Sequence, residues 1–372
     1  MIETMLDGAR TAVAVPDDFN GTLLLWNRTP LHLSAAGEPV ELAAHPVLAE
    51  ALLADGYALA ASNYTQPPGG AFAEALADSE RLLSHVHDTL APERVVAWGG
   101  SGGGLLATLL AERGLVDGAM PLGGAFDGPV GILDRALGYA QILTTRLGSD
   151  IPVTGITDRL ATLGAVRELI ARATPLALAE ASAAAEVPPW FQALKPRPVE
   201  PEDAHAALVK YGTVGIATFW ATLRGDVEQR LGGNPSSTPS WVAGVPPIEA
   251  DPGVRAELEK MTPTGAALAP VLALHSTGDG LTPVGGLARY LSRADRQLVR
   301  AVYASRGGHV CFTFAEIRTT LRALLQRLDT GAWPDLNPAR LLEEAAAEDT
   351  ALQQAPDWGA TWRPVPASPA FI

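Results

Sequence analysis

The sequence predicts an α/β fold, a mainly parallel sheet flanked by helices, with an all-helical segment inserted into it. Three observations carry this. Short apolar runs alternate with helix-compatible ones over the first 125 of 372 residues. The same alternation resumes at Pro270 and runs to Leu328. Between these stretches, from Phe126 to about Thr264, the chain is rich in alanine and leucine, helical in period and without a convincing strand.

Taken in order, Arg10 to Val15 and Thr22 to Trp26 read as strands parted by the turn Pro16-Asp17-Asp18-Phe19-Asn20-Gly21. His45 to Leu53 is helical in pattern, Gly56 to Ser62 is a strand, and Phe72 to Leu90 is an amphipathic helix. A strand over Arg94 to Trp98 and an apolar helix follow, then a short strand from Gly118 to Leu122. In the insert, Leu160, Leu163, Val166 and Leu169 recur every three residues, and Ile132, Leu133, Leu137 and Ala140 at mixed spacing, as helix faces do. Pro-rich breaks at Val187 to Trp190 and Asn234 to Pro247 divide it. Strands return at Pro270 to His275 and Gln297 to Tyr303, and Phe314 to Leu328 closes the α/β part. The expected organisation is a core of residues 1–125 and 265–330, a helical lid over 126–264, and an extended tail over 331–372. That tail, with Trp333, Trp358 and Trp362, is expected to strap over the body.

Composition narrows the function. Hydrophobic residues make up 47% and charged ones 18%, enough for a sizeable core. A formal net charge of -14 argues against nucleic acid or an anionic membrane surface as partner and fits a soluble protein with neutral or cationic small-molecule substrates. The single cysteine, Cys311, excludes an internal disulfide framework and any cysteine-built metal site. The first residues carry acids and no basic, apolar leader pattern, so a cytoplasmic location is expected. No apolar run is long enough to span a bilayer.

The chemistry centres on Gly99-Gly100-Ser101-Gly102-Gly103, a G-x-S-x-G between strand and helix and the only one in the chain. A serine on such a corner sits in strained backbone, and the residues two before and two after it pass close together, which glycine permits. The amide of Gly102, first in the helix, is a candidate to stabilise an oxyanion. A phosphate loop would need a lysine after the glycines, and none is there. A dinucleotide fingerprint on Gly102, Gly104 and Ala107 would start well past the strand end.

A serine hydroxyl needs a base, and the base needs an orienting group. Asp279 lies just beyond the strand ending at His275, at the carboxyl edge of the sheet, and Thr282-Pro283 reads as the start of the next helix, with Thr282 as its N-cap. His309 lies in the glycine loop after the strand ending at Tyr303. His85 and His87 sit on an early helix, His275 falls within its strand, and His32, His45 and His205 lie outside any late loop. Cys311 as an alternative nucleophile reads better as a small core residue.

The serine, acid and histidine, in this order and each at a strand end, resemble the α/β-hydrolase family over residues 10–124 and 270–328. The resemblance implies Ser101 as nucleophile, His309 as general base and then acid, and Asp279 as the residue that orients the imidazole. The run Gly308 to Thr313 also looks like bacterial esterases of that fold with a large helical lid, which implies carboxylic esters as substrates. In many such enzymes the strand supplying the second oxyanion amide ends in His-Gly. Here the segment is Leu25-Trp26-Asn27-Arg28-Thr29-Pro30, leaving the amides of Arg28 or Thr29 for that role, and the Arg28 side chain for a substrate carboxylate.

The expectation is a serine hydrolase acting through an acyl-enzyme on an ester, thioester or lactone of a bulky apolar molecule, with Phe126, Trp190, Phe191, Phe219 and Trp220 as lid aromatics. An acyltransferase using the same serine, a lidded peptidase, and a hydrolase-fold lyase, cyclase or binding protein stay open beside it. No metal or organic cofactor is implied, and the oligomeric state is not readable from the chain.

Overall fold

A computed structural model describes residues 1–30, 39–65, 71–174, 223–307 and 309–353. Its strands are β1 (Ile2–Leu6), β2 (Ala9–Ala14), β3 (Thr22–Asn27), β4 (Ala58–Ser62), β5 (Arg94–Gly100), β6 (Gly118–Leu122), β7 (Val271–Gly278) and β8 (Val299–Gly307). They form one eight-stranded sheet in the order β1-β2-β4-β3-β5-β6-β7-β8. β1 pairs antiparallel with β2 and β2 with β4, and every later neighbour pair is parallel. Among the described residues the helices are α1 (Pro46–Ala54), α2 (Phe72–Thr89), α3 (Gly102–Glu112), α4 (Gly128–Arg146), α5 (Arg159–Arg172), α6 (Gly225–Leu231), α7 (Pro252–Glu259), α8 (Val284–Arg293), α9 (Phe314–Thr330) and α10 (Pro338–Ala346).

The two-residue period of the strands sorts the core into two layers. Leu23, Leu25, Val95, Ala97, Val271 and Ala273 pack with Phe72, Leu76 and Leu83 of α2 and with the buried face of α3. The alternate residues Leu24, Trp26, Val96, Trp98, Leu272 and Leu274 pack with Leu48 and Leu52 of α1, Leu321 and Leu324 of α9, and Leu341 of α10. Both faces are covered, so β3 is buried along its whole length and its sequence, Thr-Leu-Leu-Leu-Trp-Asn, runs apolar without alternating. Each fully buried leucine contributes about 1.5–3 kcal/mol.

All seven expected strands lie in the sheet. β1 is an eighth; its Ile-Glu-Thr-Met-Leu does not alternate, and it lies at the sheet edge with exposed and half-buried residues. Its burial signal is therefore weak.

Between β6 and β7 the described residues form helices and no strand. The break predicted over Asn234 to Pro247 falls between α6 and α7, and the one at Val187 to Trp190 lies outside the described residues. Ile132, Leu133, Leu137 and Ala140 are buried on α4 as expected. On α5 the expectation fails at one end: Val166 and Leu169 are buried, but Leu160 is 81% exposed. Nine residues at 3.6 per turn rotate the chain about two and a half turns, so Leu160 and Leu169 point to opposite sides.

Of the segment expected to form an extended strap, residues 331–353 are described; they hold α10 and a 3₁₀ turn at Thr350–Gln353, with Asn337 capping α10 through Ala339 N–H. Trp333 donates its indole N–H to the Gln297 carbonyl at 2.8 Å, while Trp358 and Trp362 lie outside the described residues. No described helix is long and apolar enough to cross a membrane.

Candidate active site

Ser101 sits between the end of β5 and the start of α3 with φ 57° and ψ -119°, a region that a side chain disfavours. Its N–H donates to the Leu122 carbonyl at 2.9 Å, which ties the corner to the end of β6. The neighbouring glycines are required by contact. A Cβ on Gly99 would lie 2.2 Å from the Asn27 carbonyl oxygen and 2.7 Å from Gly103 C, and one on Gly103 would lie 1.8 Å from that Asn27 oxygen. The approach of Gly99 to Gly103 predicted from the motif is present. The tighter constraint is the end of β3, which lies against both residues.

The Asn27 to Thr29 segment is held there by polar contacts. The buried Asn27 side chain donates to the Leu25 carbonyl and accepts from Ser79 Oγ at 2.9 Å. Thr29 Oγ1 donates to the Gly100 carbonyl at 3.0 Å, and the Tyr64 hydroxyl donates to the Arg28 carbonyl at 3.1 Å. Thr29 Cγ2 is 2.9 Å from where a Gly102 Cβ would be, and Arg28 C is 3.2 Å from that position on Gly103. Gly102, Arg28 and Thr29 are thus adjacent, as their expected shared role requires. The Arg28 side chain donates to Asn63 Oδ1 at 2.8 Å.

His309 and Asp279 meet directly. His309 Nδ1 lies 2.9 Å from Asp279 Oδ2 and 3.0 Å from Oδ1. The Asp279 side chain is fully buried, whereas that of His309 keeps 11% of its surface. Oδ1 also accepts the amides of Leu281 and Thr282, both at 3.0 Å. Burial pushes the Asp279 carboxyl up. The His309 charge and hydrogen bond, the His275 charge and the Thr282 amide outweigh it, so the group ends below the usual carboxylate range. A carboxylate on Nδ1 holds the proton on that nitrogen and leaves Nε2 as the basic atom.

The halves of the site join at Gly123, φ 52°, the residue after Leu122. A Cβ there would lie 3.2 Å from both Asp279 Oδ2 and Val310 Cγ2. Val310, next to His309, also packs 3.0 Å from the Cβ position of Gly100. It carries a φ of 54°, uncommon for a β-branched residue, so backbone strain flanks both Ser101 and His309. The histidine loop then enters α9 through a capping box in which Thr313 and Glu316 bond each other's backbone N–H.

Among the described residues the remaining candidates have other partners. His275 is buried in β7 with Nε2 2.7 Å from the Thr282 carbonyl, and burial lowers its pKa. His45 caps α1 by accepting from Val47 N–H. His85 and His87 lie on α2, and His32 and His205 lie outside the described residues. Cys311 is buried and donates to the His309 carbonyl. Phe126 is buried and stacks on Tyr290 at 5.1 Å. Trp190, Phe191, Phe219 and Trp220 lie outside the described residues.

Thr282 departs from its predicted role. Pro283 occupies the N-cap position of α8, and the Thr282 hydroxyl turns inward to Asp279, Gly123 and His309. The sequence signal for this, a hydroxyl three residues after the acid, is indistinguishable from that of a helix cap.

Comparison with known proteins bears on the fold. No family profile matches the chain. The o-phthalyl amidase of Xanthobacter agilis is 25% identical over a 447-residue alignment that covers 96% of this chain and 95% of that protein. The feruloyl esterase B structure from Aspergillus oryzae superposes with a TM-score of 0.50 at 14% identity, over 89% of this chain and 81% of that one. The fold is that of the α/β-hydrolases. A looser match, the acylaminoacyl peptidase of Pyrococcus horikoshii, has a TM-score of 0.41 and 12% identity over 82% of this chain, which spans 36% of the length of that peptidase. Within the α/β-hydrolase fold of this chain, Ser101, Asp279 and His309 leave the carboxyl ends of the parallel strands β5, β7 and β8. This is the sheet edge where open α/β sheets bind ligands. Among the described residues no group of three His, Cys, Asp or Glu side chains is arranged to hold a metal ion.

Proposed function

We propose that the protein is a serine hydrolase that cleaves a carboxylic ester or amide through an acyl-enzyme on Ser101. The observation that carries this reading is the buried Asp279 carboxylate bonded to His309 Nδ1 at 2.9 Å, reached through Gly123 from the residue that anchors Ser101. In the first half-reaction His309 Nε2 takes the Ser101 proton as Oγ attacks the acyl carbon. The imidazolium returns that proton to the leaving oxygen or nitrogen as its bond to the acyl carbon breaks. Water, deprotonated by the same nitrogen, then attacks the acyl-enzyme, and the proton goes back to Ser101. The amide of Gly102, with that of Arg28 or Thr29, takes the oxyanion.

The acyl group we propose is a bulky, mainly apolar one carrying an aromatic ring, and amides are included beside the esters the sequence suggests. Support for both comes from the name of the o-phthalyl amidase, which aligns along nearly the whole chain. Arg28, ordered on Asn63, is suited to a carboxylate on such an acyl group. The helices between β6 and β7 act in this reading as a lid. α4 leaves directly from the Gly123-Gly124 corner, and Asp127 at its start is bonded by Arg289 of α8.

Labelling with a fluorophosphonate, whose phosphorus is attacked by an activated serine with loss of fluoride, tests the reading. Peptide mapping should find the label on Ser101, and Ser101→Ala and His309→Ala should abolish it. A folded wild-type protein that takes no label would overturn the acyl-enzyme and move the case to non-covalent chemistry in the same fold.

A further inference from the structure

We propose that Thr282 is a positioning residue, whose side-chain hydroxyl clamps the Asp279–His309 pair to the backbone that holds Ser101. The inference rests on the roles proposed above for those three residues and adds a fourth group to them.

The geometry is specific. Thr282 Oγ1 is 2.9 Å from the Gly123 carbonyl oxygen, 3.0 Å from Asp279 Oδ2 and 3.3 Å from His309 Nδ1. Thr282 is itself buried. Its own backbone is held as well, since the N–H donates to Asp279 Oδ1 and the carbonyl accepts from His275 Nε2 at 2.7 Å. The hydroxyl has one proton and two strong acceptors, the Gly123 carbonyl and the carboxylate, and buried polar groups of this kind are costly to leave without partners. Whichever acceptor holds the proton, Oγ1 fills the space beside Oδ2.

What the clamp joins matters more than the bond itself. Gly123 follows Leu122, whose carbonyl receives the Ser101 N–H, and the Gly123 N–H donates to the Leu274 carbonyl in β7. One side chain therefore links the acid loop after β7 to the corner after β6 that anchors the serine. If the carboxylate rotated, the Nδ1–H bond would bend and the imidazole would turn with it, carrying Nε2 away from the serine. The hydroxyl blocks that rotation from the side that Leu281 and Thr282 N–H, both on Oδ1, leave free. A helix cap alone would not direct a threonine hydroxyl into the sheet edge, and Pro283 already holds the cap position of α8.

Thr282→Val keeps the β-branched shape and removes the hydroxyl, and Thr282→Ser keeps the hydroxyl. With p-nitrophenyl acetate as probe, Thr282→Val should lower kcat about tenfold with little change in KM, the size expected for one hydrogen bond to a charged group. Thr282→Ser should restore most of the loss. In an Asp279→Asn background, Thr282→Val should cost almost nothing further, because the group it acts through is already gone. Equal costs in both backgrounds, or Thr282→Ser as slow as Thr282→Val, would overturn the proposal in favour of plain packing. The downfield proton NMR signal of the His309 Nδ1–H supplies a readout independent of turnover. It should shift or broaden in Thr282→Val and persist in Thr282→Ser, and an unchanged signal in Thr282→Val would also overturn the clamp. A wild-type protein that neither hydrolyses the probe nor takes the fluorophosphonate refutes the serine hydrolase and leaves this NMR comparison to decide on Thr282.

Discussion

Gly103→Ala probes the corner most directly, because the clash is set by backbone and not by a movable side chain. The new Cβ would start 1.8 Å from the Asn27 carbonyl oxygen and 2.7 Å from the Asn27 carbonyl carbon. Folded chains essentially never bring a Cβ within 3.0 Å of a heavy atom outside its own residue and chain neighbours, so the end of β3 or the first turn of α3 must retreat by about 1.2 Å. Neither can move alone. Asn27 is fastened to Leu25, Trp98 and Ser79, and Thr29 to the Gly100 carbonyl, so the displacement passes to Gly102, next to Ser101, and to Thr29, whose Cγ2 lies against it. A misplacement of about 1 Å at a reacting group costs about 100-fold in rate. We expect that loss in the second-order rate of fluorophosphonate labelling at Ser101, measured on protein whose far-UV circular dichroism shows it folded. Gly104→Ala is the control at the next position. Its Cβ meets Gly124 Cα at 3.0 Å, a contact relieved by a few tenths of an ångström, and the loss should stay below about tenfold. Wild-type labelling by Gly103→Ala would refute the claim that the Asn27 carbonyl sets the geometry of the corner.

Two further outcomes follow from the same structure. Ser101→Gly removes the side chain from a backbone at φ 57° and ψ -119°, so it should raise the unfolding free energy on the order of 1 kcal/mol in urea while abolishing labelling; an unchanged or lower stability would show that the corner stores no strain. Burial holds the His275 pKa below its ordinary value, so below about pH 6.5 the unfolded chain takes up a proton that the folded one refuses. Its stabilising share is complete above that pH and is lost as the pH falls toward the folded value. The melting temperature of His275→Leu should therefore fall less between pH 7.5 and 5 than that of the wild type, and parallel curves would rule out the linkage.

Much of the architecture was legible before the structure because its determinants are local. The unbroken apolar runs of β3 and β5 are what a strand covered on both faces needs, and the corner at Ser101 announces itself because strained backbone and close approach both select glycine. Asp279 and His309 could be picked out because each follows a recognisable strand, and a parallel sheet sends the carboxyl ends of those strands to one edge. Where local pattern was weak or ambiguous the expectations missed. β1 is half exposed at the sheet edge, Leu160 belongs to a three-residue repeat that rotates off its helix face, and the C-terminal segment hid α10 among prolines.

Tertiary structure alone decided the contacts between residues far apart in sequence. That the Asn27 carbonyl, and not only the mutual approach of Gly99 and Gly103, forbids a side chain there depends on the pairing of β3 with β5. Thr282 reads equally as a cap or as a site residue until Gly123, 159 positions away, supplies the carbonyl that turns its hydroxyl inward. A residue type records what its own backbone demands. The partner of a buried hydroxyl is chosen by which loops the sheet brings together, and that information is spread over the whole chain.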